Sequence, residues 1–269
     1  MYIQDFEFDG KNLSEFNFSC ISWDGNSNTA SPISQIEFTT QRPHNRSKWD
    51  FYSAQYSEPL QTVLQVGIYD CTTGSIAPLT RRDLSPIMRW LTRRDGYKLL
   101  RFNDIVDYQD LQFFAKISVV PKKHRGIIYA LELTIECDRA FAVRPFSRTI
   151  EVTSTNNMFS QTDYSDDIGF TPVKITVVPH RSGTLRITNS RLSEPIIVTD
   201  CVPDEEIVID AESLVAYDAA LRADPPFARR FNFKFPYLVN TYYETDNVWG
   251  FSLPCSATME WLSPVKVGL

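Results

Sequence analysis

The sequence predicts an all-β protein, mainly strands with one short helix in its first half. Most of the chain alternates apolar and polar residues, which is the pattern of strands that bury one face. Turn-forming residues separate these stretches at short intervals, as in a sandwich or barrel. Residues 85–95 break the alternation, because their apolar residues recur at helical spacing.

The composition is that of a globular protein with a substantial core. Of the 269 residues, 43% are hydrophobic and 13% aromatic, which is enough for one large domain or two medium ones. Only 10 residues are glycine and 16 are proline, which disfavours disorder and fibrous repeats.

The charge and the N-terminal stretch exclude several classes of protein. A formal net charge of -6 and an isoelectric point of about 5.2 disfavour a dedicated nucleic-acid-binding protein. The opening MYIQDFEFDGKN lacks the basic and apolar regions of a signal peptide, and no apolar run is long enough to span a bilayer. We therefore expect a soluble protein that has no membrane partner and is not exported by the ordinary secretory route.

The first half contains eight predicted strands. They are YIQDFEF, FNFSCISW, ISQIEFTT, FYSAQYS, LQTVLQVGIYD, YKLLRF, LQFFAKISVVP and IIYALELTIEC. The last two flank the turn KKHRG, so we expect them to pair as a hairpin. The stretches DGNSNTASP and QRPHNRSKWD are predicted to be polar loops.

The helix is predicted near residues 85–95. Ser85 suits the N-cap, Pro86 the first helical position and Gly96 the C-cap. Three apolar residues at i, i+3 and i+4 form one face: Ile87, Trp90 and Leu91. We expect this face to dock on the β-core.

The pattern changes at Arg144 and Pro145, which predicts two domains, 1–143 and 144–269. In the second domain, short strands follow one another closely, as in a sandwich or jelly roll. They are TIEVTS, PVKITVVP, GTLRITNS, PIIVTD, EEIVIDAES, KFPYLVN, VWGFSLP and ATMEWLSPV. The stretch LVAYDAALRADPPFARRF is compatible with a loop or a short helix.

Nothing in the sequence points to a metal or a cofactor. The cysteines are scattered and form no CxxC pair, so we interpret them as buried free thiols of a protein made in a reducing cytosol: Cys20, Cys71, Cys137, Cys201 and Cys255. The histidines lie far apart, without the spacing of a metal site: His44, His124 and His180. We expect no cofactor.

An enzyme has no positive support. Carboxylates cluster in DIVDYQD, DYSDD and DEE, but a glycosidase needs two carboxylates that converge on one bond. The G-x-S-x-G elbow of many hydrolases is absent. We interpret the acidic clusters as solvated turns.

The aromatic residues near the C-terminus allow a carbohydrate-binding module as an alternative function. Tyr242 and Trp249, with Tyr243 and Trp261 nearby, are candidates for a sugar-stacking platform. The competing interpretation, which we favour, is that Trp249 and Trp261 fill the core between two sheets, because each lies in an alternating strand.

The predicted helix is basic in an otherwise acidic chain. Arg89, Arg93 and Arg94 are candidates for an inter-subunit contact or for the lining of a channel. The alternative is a solvated face whose late cations suit the helix dipole.

An ordered series of motifs resembles the distal tail protein family of long-tailed, siphovirus-type bacteriophages and prophages. The motifs are DFEFDGKNLSEFNF, LTRRDLSPIMRWLTRRDGYKLLRFND, LELTIECDRAFA, EEIVIDAES and FPYLVNTYY. They span most of the chain, and the first three fall in the expected first domain.

The resemblance implies a structural protein rather than an enzyme. Six copies of the first domain would form a ring at the distal end of the tail, joining the tail tube to the tail-tip or baseplate hub proteins. The second domain would be a galectin-like sandwich that serves as an attachment point for receptor-binding proteins. DNA would pass through the central channel without specific binding, and the protein, made in the host cytoplasm, would reside in the virion tail.

Overall fold

A computed structural model of the chain describes residues 4–21, 36–44, 47–56, 58–70, 74–93, 95–103, 105–221, 225–241 and 243–267. The chain divides into two compact units, Met1–Val143 with Lys266–Leu269, and Arg144–Val265. The sequence pattern predicts that the second domain runs to residue 269, whereas Lys266–Leu269 belong to the first unit. The Lys266 ammonium lies over the ring of Tyr56, 5.6 Å from its centroid.

The first unit is built around an antiparallel seven-stranded sheet. Its strands run in the order β2-β1-β9-β10-β11-β6-β3, and two separate two-stranded sheets are formed by β4-β5 and β7-β8. The strands are β1 (Glu7–Phe8), β2 (Lys11–Asn12), β3 (Ser19–Cys20), β4 (Ile36–Gln41), β5 (Asp50–Tyr56), β6 (Gln61–Gly67), β7 (Tyr69–Asp70), β8 (Ser75–Ile76), β9 (Lys98–Arg101), β10 (Phe113–His124) and β11 (Ile127–Cys137). Two 3-10 turns, Leu13–Phe16 and Val106–Tyr108, complete it.

The predicted hairpin around KKHRG is confirmed. β10 and β11 pair from Ala115 opposite Cys137 to His124 opposite Ile127. Arg125 and Gly126 form the two-residue turn, with φ values of 49° and 84°. Two consecutive positive φ angles are those of a type I′ turn, whose twist matches that of the flanking strands.

The helix α1 spans Arg81–Thr92, so it begins one turn earlier than predicted. Its N-cap is Thr80 rather than Ser85: the Asp83 carboxylate accepts the Thr80 backbone N–H at 2.8 Å and the Thr80 hydroxyl at 2.6 Å. These hydrogen bonds lower the pKa of Asp83, the side-chain bond from Thr80 most strongly. Pro86 therefore lies inside the helix, and Arg93 rather than Gly96 is the C-cap.

The second unit is an antiparallel β-sandwich. One sheet has the order β12-β21-β14-β17-β18 with β19 added on β14, and the other has the order β13-β20-β15-β16. The elements are β12 (Ala142–Val152), β13 (Met158–Thr162), β14 (Gly169–Pro179), β15 (Gly183–Asn189), β16 (Ile196–Cys201), β17 (Ile207–Asp210), β18 (Val215–Asp218), α2 (Phe227–Arg230), β19 (Tyr237–Asn240), β20 (Asp246–Phe251) and β21 (Cys255–Val265). The stretch compatible with a loop or a helix thus contains β18 and the single turn α2.

Alternation along the strands produces the core of this sandwich. Val173, Ile175 and Val177 of β14 are fully buried while Lys174 between them is exposed. Residues from the other sheet, among them Leu185 and Trp249, join the same buried cluster. Because side chains on a strand alternate between its two faces, each sheet contributes one apolar face to the core between them.

The prediction of an all-β protein with one short helix in the first domain is confirmed. Among the described residues, α1 is the one helix longer than a single turn. No helix in the described part of the chain is both long and apolar enough to cross a membrane.

Candidate functional site

The two-stranded sheet β4-β5 stands apart from the main sheet of the first unit. Its strands pair from Ile36 opposite Tyr56 to Gln41 opposite Asp50, with an irregularity between Thr39 and Thr40. Within the described residues, neither strand pairs with a third strand. An isolated two-stranded hairpin is marginally stable in water, and Tyr56 at the end of β5 packs its ring on Phe141.

This hairpin exposes an unusual number of large aromatic side chains. Four rings at or next to its strands are 60% to 65% exposed: Phe38, Trp49, Phe51 and Tyr52. The rings of Phe38 and Phe51 contact each other, with centroids 6.1 Å apart. Phe51 pairs opposite Thr40 and Ser53 opposite Thr39, so Tyr52 is the extra residue of a β-bulge in β5. The aromatic hairpin, as we call these four residues on β4-β5, thus presents a large exposed apolar surface, which is typical of an interaction site.

The apolar face of α1 docks on the β-core as predicted. Ile87, Trp90 and Leu91 are buried, with exposures of 4% or less. The Trp90 indole donates a hydrogen bond from Nε1 to the carbonyl of Phe8 at 2.9 Å. Its ring also stacks on Phe16, with centroids 4.7 Å apart. Trp90 therefore fixes the helix against the start of the sheet.

The opposite face of α1 is basic and exposed. Arg89 and Arg93 are both exposed to solvent, as are Arg81 and Arg82 in the first turn of the helix. Arg94 lies outside the described residues. Because Trp90 and Leu91 hold the other face on the core, these guanidinium groups are held on the surface of the first unit.

The proposed sugar-stacking role of Trp249 requires a correction. Trp249 is completely buried in the sandwich core, so its ring has no face to offer to a sugar. The alternation of β20 places its side chain inward, as the competing interpretation held. Tyr242 lies outside the described residues, and the neighbouring Tyr243 is 89% exposed.

A cluster of serine, histidine and glutamate on the second unit superficially resembles hydrolytic machinery. The Ser256 hydroxyl donates to Glu151 Oε1 at 2.6 Å and lies 3.4 Å from His180 Nε2, which is also 3.4 Å from Glu151 Oε2. In a catalytic triad, the acid and the serine contact different nitrogens of the imidazole. Here both contact Nε2, so the histidine cannot pass a proton from one to the other. The bond from Ser256, followed by that from His180, lowers the pKa of Glu151.

The described cysteines are free thiols, and three of them are buried in the interior. Cys137, Cys201 and Cys255 are buried free thiols, as predicted, and Cys20 is half-buried. Burial raises the pKa values of Cys137 and Cys255 to about 12, so both remain protonated. Cys71 lies outside the described residues. In the described part of the chain, no three histidine, cysteine, aspartate or glutamate residues are grouped to hold a metal ion.

A buried ion cluster stabilises the sandwich and was not predicted. Arg230 donates to both oxygens of Glu205 at 2.7 Å and to Asp218 at 3.0 Å, and all three side chains are 1% exposed. Its Nε also donates to the carbonyl of Thr199 at 3.0 Å. Bidentate geometry and a satisfied guanidinium are what a buried arginine requires. The cluster is internal, so its role is to hold α2 against the strands.

Both halves of the chain match family models. Residues 1–139 match the model described as a phage tail protein N-terminal domain, and residues 144–261 match that described as a phage tail C-terminal domain. No curated protein matches the sequence.

A solved structure that covers nearly the whole chain supports the same fold. It is the Dit protein of phage SPP1, described as a paradigm of the hub adsorption apparatus in phages that infect Gram-positive bacteria. It aligns at a TM-score of 0.66 and 12% identity, over 98% of this chain and all of that one. A Bacillus thuringiensis Cry1Da tryptic core variant aligns with 99% of this chain and 52% of its own at 8% identity, and its TM-score of 0.22 is too low to indicate a common fold.

Proposed function

Because the chain belongs to the phage tail protein family, we propose that six copies form a ring at the distal end of the tail. The protein is a structural component of the virion tail and not an enzyme. The ring would join the tail tube to the tail-tip or baseplate hub and to receptor-binding proteins.

The observation that carries the ring proposal is the aromatic hairpin. Phe38 and Phe51 expose 65% and 62% of their surface on a pair of strands with no third strand among the described residues. Burial of apolar surface stabilises a contact by about 25 cal/mol per Å². A neighbouring copy that covers these rings would stabilise both the hairpin and the assembly.

The geometry required of this contact is head-to-tail. In a cyclic ring of more than two copies, each subunit uses one surface to contact a different surface of the next subunit. The aromatic hairpin is one such surface. The exposed arginines of α1, Arg89 and Arg93, supply charge that fits a carboxylate-bearing surface on the neighbour, because the chain is acidic as a whole.

The remaining parts of the proposal follow from the ring. The protein would be made in the host cytoplasm and assembled there into the tail. DNA would pass through the channel without sequence-specific contacts, in keeping with the net charge of -6.

The experiment that tests the proposal compares two substitutions with equal chemistry and equal exposure. Phe38 on the aromatic hairpin is 65% exposed, and Phe170 on the second unit is 67% exposed. Native mass spectrometry should show that Phe38→Ser lowers the fraction of hexamer at a given concentration, while Phe170→Ser leaves it close to that of the unmodified protein. Equal hexamer fractions for Phe38→Ser and the unmodified chain would refute the role of the hairpin.

A further inference from the structure

The outer face of the larger sheet in the second unit carries a groove of about 480 Å³. It is formed by β12, β14, β21 and the turn after β17. We call it the Phe146 groove, after the residue on its β12 side. Its apolar lining comprises Pro145, Phe146, Pro172, Trp261 and Leu262, and its charged lining comprises Lys174, Asp210, Glu212 and Glu260. Its volume lies within the range of sites that bind ligands or short peptide segments, about 300–1,000 Å³.

Strand register places the charges side by side. Lys174 on β14 lies opposite Asp210 on β17 and opposite Glu260 on β21. Its ammonium bonds to Glu260 at 3.0 Å, and this bond raises the pKa of Lys174. With Glu212 added, the groove has a formal excess of two negative charges over its single cation. A ligand of this groove is therefore expected to be cationic.

The aromatic lining does not have the form of a sugar platform. Phe146 stacks on Trp261, with centroids 5.4 Å apart and an interplanar angle of 15°. It also stacks on Tyr164, with centroids 5.9 Å apart and an angle of 29°. Trp261 itself is only 5% exposed. The Trp261 ring belongs to the buried core of the sandwich and the Phe146 ring packs against that core, so neither offers a free ring face to a sugar.

We infer that the Phe146 groove binds an arginine- or lysine-bearing peptide segment of another tail protein. The aliphatic stem of such a side chain would lie along the apolar lining formed by Pro145, Pro172 and Leu262. Its charged end would reach the carboxylates of Asp210 and Glu260, and an arginine matches a carboxylate with two parallel hydrogen bonds. The inference rests on the proposed function, in which the second unit is an attachment point for other tail proteins.

The test begins with random peptides, so that the sequences recovered by binding show which residue types the groove prefers. A display library of random short peptides is selected on the unmodified full-length chain, and binding of the selected peptides is then measured by fluorescence anisotropy. We expect the selected sequences to combine Arg or Lys with apolar residues, and their affinity to fall as salt rises.

Two charge reversals identify the binding surface. Glu260 pairs with Lys174 at 3.0 Å in the groove, and Glu194 pairs with Lys234 at 2.5 Å elsewhere on the second unit. Both glutamates are about half exposed. Glu260→Lys should weaken peptide binding at least about tenfold, whereas Glu194→Lys, with the same change in net charge, should alter it less than about twofold.

The inference would be overturned if no peptide is selected, if the selected peptides lack cationic residues, or if they bind Glu260→Lys as well as the unmodified chain. Neutral glycans that bind in place of peptides would equally overturn it. The mass of the assembly is measured on the same samples. If the ring forms but no peptide binds, only the inference about the groove fails. If peptides bind but no ring forms, only the proposal of the ring fails.

Discussion

The indole of Trp90 donates a hydrogen bond to the backbone carbonyl of Phe8 at 2.9 Å, across 82 residues of sequence. Together with the buried side chains of Ile87 and Leu91, this contact holds α1 on the first strand of the main sheet. The same docking leaves Arg89 and Arg93 on the outer surface.

Removal of this donor should destabilise the first unit. Trp90→Phe keeps a ring in the core but removes the hydrogen bond to the Phe8 carbonyl, which costs about 0.5–1.5 kcal/mol. Urea unfolding should show this loss in the free energy of unfolding. Trp49→Phe on the aromatic hairpin changes the same residue type at a site that is 60% exposed, and its effect should stay within about 0.5 kcal/mol. Equal effects would contradict the anchoring role of Trp90.

The capping box of α1 predicts a pH-dependent contribution to stability. Asp83→Ala removes the acceptor of both Thr80 bonds and should lower the free energy of unfolding by about 1 kcal/mol at pH 7. Folding lowers the pKa of Asp83 below its ordinary value of 3.8, so its contribution is full above that pH and is lost as the pH falls through the folded value. The difference between the two proteins should therefore shrink in unfolding experiments near pH 3. A difference that grows on acidification would exclude this account.

The buried ion cluster should be intolerant of the loss of its cation. Arg230→Met leaves the carboxylates of Glu205 and Asp218 buried without a counter-charge, which costs about 3–5 kcal/mol. The adjacent Arg229 is exposed, so Arg229→Met should change the free energy of unfolding by less than about 0.5 kcal/mol. Thermal or urea unfolding of the two variants separates these expectations, and similar values would show that the cluster contributes little.

The arginine face of α1 should matter for assembly rather than for folding. Arg89→Glu combined with Arg93→Glu reverses two exposed charges at the C-terminal end of α1, so the monomer should keep its circular dichroism spectrum while losing only about 0.3–1 kcal/mol of stability per charge. Ring formation should require a higher protein concentration, because like charges would then face an acidic neighbour. Arg181→Glu with Arg186→Glu, two exposed arginines of the second unit, is the matched control. An unchanged ring in the α1 variant would refute the contact.

Local patterns were sufficient to predict most of the strands and the buried face of the helix. Alternation along β14 and the spacing of Ile87, Trp90 and Leu91 each report which side of an element is apolar. The helix start was wrong because Ser85 and Pro86 resemble a cap, whereas Thr80 and Asp83 form a stronger capping box one turn earlier.

The interaction surfaces were harder to predict because they depend on contacts between distant residues. Phe51 and Tyr52 lie in a stretch that reads as an ordinary strand, and only the sheet topology shows that their hairpin has no third strand among the described residues. Arg230 and Glu205 are 25 residues apart, and no local pattern pairs them. The same holds for the Phe146 groove, whose lining comes from four segments of the second unit.

The central claim, a six-membered ring, is tested most directly by the mass of the full-length chain in solution. Light scattering across a concentration series should show a rise from the 30.9 kDa of one chain to a plateau at six times that value. A plateau at any other multiple, or a mass that stays at one chain throughout the series, would contradict the claim that this chain forms the ring.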